Sequence, residues 1–339
     1  MAKILYLSVH SVLERDEVSL FQELGHTVFS LHGAYQFGSG DGKRPALPME
    51  VEAHLHDLAL QCSRDNLLPE LVDWADIIMF MHKTDWIENN WSKIKNKKVI
   101  WRSIGQSSQL DEQELSRWRG KGLKIVRYSP REDTIPSFQG RDALIRFYKD
   151  EEEYAGYIGA NPQVINVSQA MFGNETVGSR GDHMNVDILK NVLAGMPWKI
   201  FGPDNDFAAE HNGGSLPFDD LKNMLRFNRV FFYTGTAPAA YTLSFIEAMM
   251  TGIPIVAIGP KLGNSVYPQQ QTYEVHEIIQ NEISGYWSDE VPKLREYIQL
   301  LLDDHERAKV IGSRGRARAI EFFGKGKIRQ EWKVFLENL

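Results

Sequence analysis

Short apolar runs alternate along this chain with stretches whose apolar residues recur every three or four positions. Ile4 to Leu7 predicts a buried strand, and Val12, Val18, Phe21 and Leu24, closed by Gly25-His26, predict the helix that follows. Thr27 to Leu31 is the next expected strand. Residues 33–62 are rich in Gly, Pro and Ser with weak periodicity, and read as a long loop with some helix. The alternation then resumes: helix Leu67 to Trp74, strand Ile77 to Met81, helix Trp86 to Ile94, strand Val99 to Ile104, helix Glu112 to Trp118 and strand Lys124 to Tyr128.

Strand and helix in strict alternation predict a parallel sheet with helical crossovers, in which ligands gather at the carboxyl ends of the strands. A polar run, Lys149-Asp150-Glu151-Glu152-Glu153, interrupts the pattern, and a second series starts at Gln163 to Val167. It continues through helix Asp187 to Leu193, strand Trp198 to Phe201, helix Phe218 to Leu225, strand Val230 to Tyr233, helix Leu243 to Met250 and strand Ile253 to Ala257. From Thr272 onward the pattern is mostly helical, with amphipathic stretches at Pro292 to Leu302, Asp304 to Phe323 and Lys327 to Leu339. With 339 residues to distribute, two α/β domains are expected: 1–155, then 156–320, with 321–339 as a helix packing back toward the first.

Composition narrows the class. Hydrophobic residues at 42% and charged residues at 24% fit an ordinary globular protein, and the apolar runs stop at strand length, well short of a membrane span. A net charge of -7 offers no general attraction to nucleic acid or anionic lipid, so neither partner is expected beyond a transient membrane association. The start, with one Lys before a short apolar run, does not read as a signal peptide, and the single Cys62 allows no internal disulfide. A cytoplasmic setting and a small-molecule donor are therefore expected.

The most informative stretch runs from Pro238 to Ala257. Thr242 or Ser244 can cap a helix whose free amides and dipole suit a diphosphate. Glu247 lies about one turn further in, Gly252 can close the helix in a left-handed conformation, and Pro254 prevents its continuation. The stretch resembles the nucleotide-sugar site of family 4 retaining glycosyltransferases, whose usual pattern is Pro-Glu-x-Phe-Gly-Leu-Ser-x-x-Glu-Ala-Met-Ala-x-Gly-x-Pro-Val-Val. Pro238, Leu243, Ser244, Glu247, Ala248, Met249, Gly252, Pro254 and Val256 match it. The first Glu of the pattern, which contacts the donor sugar in the family, falls on Ala239. Leu216 to Phe231, His276 to Trp287, and Gly312 to Arg318 with Phe322 and Trp332 extend the likeness over the C-terminal half; the N-terminal half shares only the order of elements.

The resemblance implies the glycosyltransferase B (GT-B) fold, two Rossmann-like doubly wound domains facing across a cleft. It implies transfer of a sugar from a UDP-sugar or GDP-sugar to the hydroxyl of a carbohydrate, lipid or other acceptor, with retention of anomeric configuration and with neither metal nor cofactor. Glu247 would hold the ribose, while Tyr241, Thr242, Leu243 and Ser244 would surround the phosphates. Family members place an Arg and a Lys near the start of this domain to bind the pyrophosphate, whose negative charge grows as the glycosidic bond breaks. Arg180 is the candidate Arg. For the Lys, Lys190 is the candidate, with Lys199 as alternative and a surface charge as the competing reading of both.

In the N-terminal half, Ile104-Gly105 stands where the family commonly has His-Gly. Arg102, Gln106 and Ser107 could bond a ligand there, unless Arg102 pairs with a nearby carboxylate. His82, after strand Ile77 to Met81, is a further catalytic candidate or a structural histidine. His10 and Ser11 follow the first strand where relatives have a glycine-rich loop. Gly38 to Lys43 lacks the spacing of a phosphate loop, Asp204-Asn205-Asp206 only imitates a metal motif, and His54-Leu55-His56 lacks a third ligand. A nucleotide-sugar binder without transfer is the alternative that Ala239 supports. A dinucleotide enzyme is disfavoured because no Gly-x-Gly-x-x-Gly follows any expected strand.

Overall fold

The computed structural model describes residues 1–31, 33, 47 and 53–339. Among them the strands pair only in parallel, in two sheets. The first holds β1 (Lys3–Leu7), β2 (Thr27–Ser30), β3 (Ile77–Met81), β4 (Lys98–Arg102), β5 (Lys124–Arg127) and β6 (Ala143–Leu144), in the order β2-β1-β3-β4-β5-β6. The second holds β7 (Asn161–Val167), β8 (Trp198–Phe201), β9 (Asn228–Tyr233), β10 (Ile255–Ile258) and β11 (Tyr286–Ser288), in the order β11-β10-β9-β7-β8. A parallel sheet is covered on both faces, so its inner strands are apolar throughout rather than alternating. All five residues of β3 are buried, as are all six of β9.

Two compact units result, residues 1–147 with 328–339, and residues 148–327. In the first, Leu5, Leu7, Phe29, Ile78, Phe80 and Trp101 are part of one continuous apolar core. The last helix, Lys325–Glu337, lays the fully buried Trp332 edge-on against Phe21, with ring centroids 4.9 Å apart. The second unit begins before the polar run instead of after it, and the reason is visible in its hydrogen bonds. Arg226 donates from Nε to the Ala155 carbonyl at 2.8 Å and from Nη2 to that of Glu153 at 3.0 Å, while Arg316 donates to Glu151 O at 2.8 Å. Two arginines thus anchor what the charge pattern suggests is a linker.

In the second unit the Leu243–Thr251 helix is buried from Phe245 to its end, and Gly252 closes it at φ 90°, with its amide bonded to the carbonyls of Ala248 and Met249. A left-handed residue there favours glycine. Helix His305–Phe323 crosses close by: a Cβ on Gly312 would overlap the Gly252 carbonyl oxygen. Two edge strands, β6 and β11, stand where no such element is expected from the sequence, while helix Ala53–Leu60 falls within 33–62, where some helix is expected. Gly38 to Lys43 lies outside the described residues.

Candidate nucleotide site

In an open parallel sheet, a ligand crevice forms where neighbouring strands send their connections to opposite sides. In the second sheet that point lies between β7 and β9, because β7 leads outward to β8 on one side and β9 to β10 on the other. The two loops leaving it are bonded together. The Ala237 amide donates to the His183 carbonyl at 2.7 Å, and Asn185 Nδ2 donates to the Thr234 carbonyl at 2.9 Å. Beneath them Asn166 Nδ2 crosses to the Phe232 carbonyl at 2.9 Å.

The loop after β7 carries Arg180, whose backbone amide is tied to Ala170 O at 2.8 Å while its side chain is exposed and unpaired among the described residues. The loop after β9 carries the start of the Leu243–Thr251 helix. Thr242 occupies the capping position, but its side chain does not cap; its Oγ1 sits 3.0 Å from Ser244 Oγ. Thr242, Leu243 and Ser244 are half-buried, so the helix start keeps access to solvent. A helix start has amides without intrahelical partners and a positive dipole end, which together attract a diphosphate.

Glu247, one turn further along, is 8% exposed. Its Oε1 takes both of its polar contacts, from Lys149 Nζ at 2.9 Å and from the Tyr154 hydroxyl at 3.1 Å. Lys149 is 1% exposed and Tyr154 equally buried. Neither partner is visible from the sequence, where Lys149 merely opens an acidic run. The one available signal is that aromatics, Tyr148 and Tyr154, bracket that run.

Other candidates fall away from the site. Tyr241 is buried, with its ring 5.1 Å from Phe323 and 6.4 Å from Phe245, and belongs to the core. Lys190 stands in the last turn of helix Val186–Leu193, over the Phe172 ring, at the opposite end of that helix from the loop after β7. Lys199 spends its ammonium on the Glu210 carbonyl. Asp204-Asn205-Asp206 fastens loops: Asn205 Nδ2 donates to the carbonyls of Ser168, Gly202 and Pro203, and its Oδ1 accepts from the Phe172 amide.

In the first unit, Arg102 is fully buried, with Nε 2.8 Å from Glu17 Oε1 and Nη1 2.7 Å from the Ile145 carbonyl. The carboxylate partner weighed against a ligand role is thus present, and Arg102 leaves the candidate set. Ser107 is buried and bonds the Ile104 carbonyl and Glu132 Oε1, both at 3.3 Å; Gln106 is exposed. His10 turns its ring back to cap helix Ser11–Glu23, accepting from the Leu13 amide at 3.4 Å. His82, just past β3, has a left-handed backbone at φ 67° and a buried Nδ1 without a partner among the described residues. Burial lowers its pKa below the usual histidine range, with Asp111 opposing the shift. His82 is thus a non-glycine residue held left-handed beside the β1/β3 switch point.

No family model matches the chain, and no curated protein sequence does either. Solved structures do. The crystal structure of HepE from Anabaena with UDP-glucose superposes at a TM-score of 0.70 with 15% identity, covering 100% of both chains. A glycosyltransferase from Rickettsia africae gives 0.67 with 14% identity over 100% of this chain and 99% of its own. Sucrose-phosphate synthase from Thermosynechococcus elongatus gives 0.66 with 13% identity over the same shares. This is a GT-B fold. At such identities the likeness settles architecture alone, and the roles of Arg180, Glu247 and the helix start rest on their own chemistry.

Proposed function

We propose that this GT-B protein transfers a sugar from a nucleoside diphosphate sugar, with UDP or GDP as carrier, to an acceptor hydroxyl on a carbohydrate, lipid or other molecule, and that the anomeric configuration is retained. The observation that carries the reading is the convergence of an unpaired Arg180 and an accessible helix start on one switch point. Arg180 and the helix start hold the pyrophosphate and stabilise the charge it gains as the glycosidic bond breaks. The departing phosphate takes the acceptor's proton as the new bond forms on the same face, so that neither a separate base nor a metal is required. Glu247 accepts from the ribose hydroxyls.

A second reading, nucleotide-sugar binding with lost or altered transfer, is favoured by Ala239. This residue is buried, its amide is bonded to Thr236 O, and it offers no side-chain acceptor to a sugar. Calorimetric titration with UDP, GDP, ADP and NAD, on wild type, Arg180→Ala and Glu247→Ala, tests both. Saturable binding of one diphosphate, weakened at least about tenfold by either substitution as expected for a lost charge-assisted hydrogen bond, supports the site. Turnover of the matching sugar nucleotide, with the product anomer assigned by NMR, then separates enzyme from binder. Binding of none, or equal binding by all three proteins, would remove the nucleotide assignment.

A further inference from the structure

The acidic residue expected at the ribose does not stand alone. Lys149 and Tyr154 both come from the short segment that opens the second unit, and both end on a single atom, Glu247 Oε1. That segment is not free to drift. Asp150 caps helix Glu151–Tyr154 through the Glu152 amide, and Arg226 and Arg316 bond the carbonyls of Glu151, Glu153 and Ala155. Lys325 pairs with Asp150 at 3.3 Å and donates its amide to Glu151 Oε2 at 3.1 Å. Arg316 also reaches the Met250 carbonyl at 3.1 Å, so one guanidinium ties this segment to the helix that carries Glu247. Tyr154 is further fixed edge-on against Phe218, 6.0 Å away.

The chemistry of this arrangement is specific. A buried lysine compensates the charge of a carboxylate beside it, and donors confined to one oxygen orient the other. Oε2 has no donor among the described residues, and the side chain keeps 11% of its surface accessible. A carboxylate oxygen in a fixed direction can accept from two vicinal hydroxyls, which a freely rotating one does less well.

We infer that Lys149 and Tyr154 are positioning residues that hold Glu247 oriented through Oε1, so that Oε2 reads the cis-diol of the nucleotide ribose. The inference rests on the proposed nucleotide site and deepens it. Its test is the preference for a ribonucleotide over its 2′-deoxy form, a ratio that general loss of stability does not move. Calorimetry would compare UDP with 2′-deoxy-UDP, or the guanosine pair if GDP is the ligand, for wild type, Glu247→Gln, Lys149→Met, Lys149→Arg and Tyr154→Phe.

Wild type should prefer the ribonucleotide at least about tenfold, in line with one charge-assisted hydrogen bond. The preference should collapse toward unity in Glu247→Gln and Lys149→Met, survive in Lys149→Arg, and fall severalfold in Tyr154→Phe. Should Glu247→Gln lose the preference while Lys149→Met and Tyr154→Phe keep it, the positioning role is wrong and the ribose reading stands. If Glu247→Gln retains it, or wild type shows none, the ribose reading fails and this inference with it. If Lys149→Met does not fold, Tyr154→Phe, which removes one hydroxyl, decides the question by the same ratio.

Discussion

Replacing Arg102 by Met separates a buried structural arginine from a ligand-binding one. The guanidinium makes an ion pair with Glu17, donates to two backbone carbonyls, and sits 5.0 Å from the Phe147 ring centroid and 5.4 Å from that of Trp332. Met approximates the volume but leaves Glu17 buried without its cation and the Ile145 and Arg146 carbonyls without these donors. Removing one member of a buried pair costs about 3–5 kcal/mol. Glu17 keeps the Tyr6 hydroxyl at 2.5 Å, a partial compensation that places the expectation at about 3 kcal/mol. Adding Glu17→Gln to Arg102→Met should recover about 1–2 kcal/mol of the loss, because the double variant no longer buries an unpaired charge. Guanidinium unfolding, monitored by tryptophan fluorescence and fitted with a separate transition for each unit, reads the effect in the transition of the first unit, which contains Trp101 and Trp332. Nucleotide affinity should stay within about twofold of wild type. A variant destabilised by less than about 0.5 kcal/mol that also lost ligand binding would refute the reasoning and return Arg102 to the binding residues.

Three further outcomes are expected. His82→Gly relieves a left-handed backbone strain of about 1 kcal/mol, so it should raise the melting temperature of the first unit slightly; a gain accompanied by loss of turnover identifies the strain as functional. The same residue has a pH signature: because its folded pKa lies below the ordinary 6.5, its contribution is present above that value and is lost as pH falls below it toward the folded pKa. The acid limb of wild-type stability should therefore be steeper than that of His82→Gln in urea titrations between pH 7 and about 5. Gly312→Ala should destabilise the second unit by about 1–3 kcal/mol by forcing helix His305–Phe323 away from Gly252, whereas Ala at the solvent-facing Gly326, whose Cβ meets nothing, should be nearly neutral. Asn205→Ala removes the shared donor of three carbonyls and should cost about 1–3 kcal/mol; calorimetry should show weaker diphosphate binding as the loop leading to Arg180 loosens.

The alternation of elements was legible because a doubly covered parallel sheet writes itself as apolar runs. Ile77 to Met81 and Leu243 to Met250 needed no tertiary information to be assigned, and the structure places strand and helix there. Strands β6 and β11 escaped notice because an edge strand of two or three residues pairs on one side and needs no apolar run. Some helix was legible within residues 33–62, but the bounds of helix Ala53–Leu60 were not, because the weak period there gives no edges. Charge was the least legible quantity. The acidic run after Lys149 looks like a solvated linker, and Arg102 at a strand end looks like a ligand contact. Which charges are compensated depends on partners far away in sequence, Glu247 for Lys149 and Glu17 for Arg102.

The first unit is discontinuous in sequence, and this sets an order of events at the ribosome. Phe21 and Arg102 are synthesised early, yet Trp332, which packs against both, arrives only after the whole second unit has been made. At ordinary synthesis rates that interval is on the order of ten to forty seconds. The second unit is contiguous in sequence, whereas the contacts of Phe21 and Arg102 with Trp332 in the first must wait for it. Residues 328–339 therefore act as a latch: the surface that Phe21 and Arg102 offer early in synthesis is covered only when Trp332 arrives.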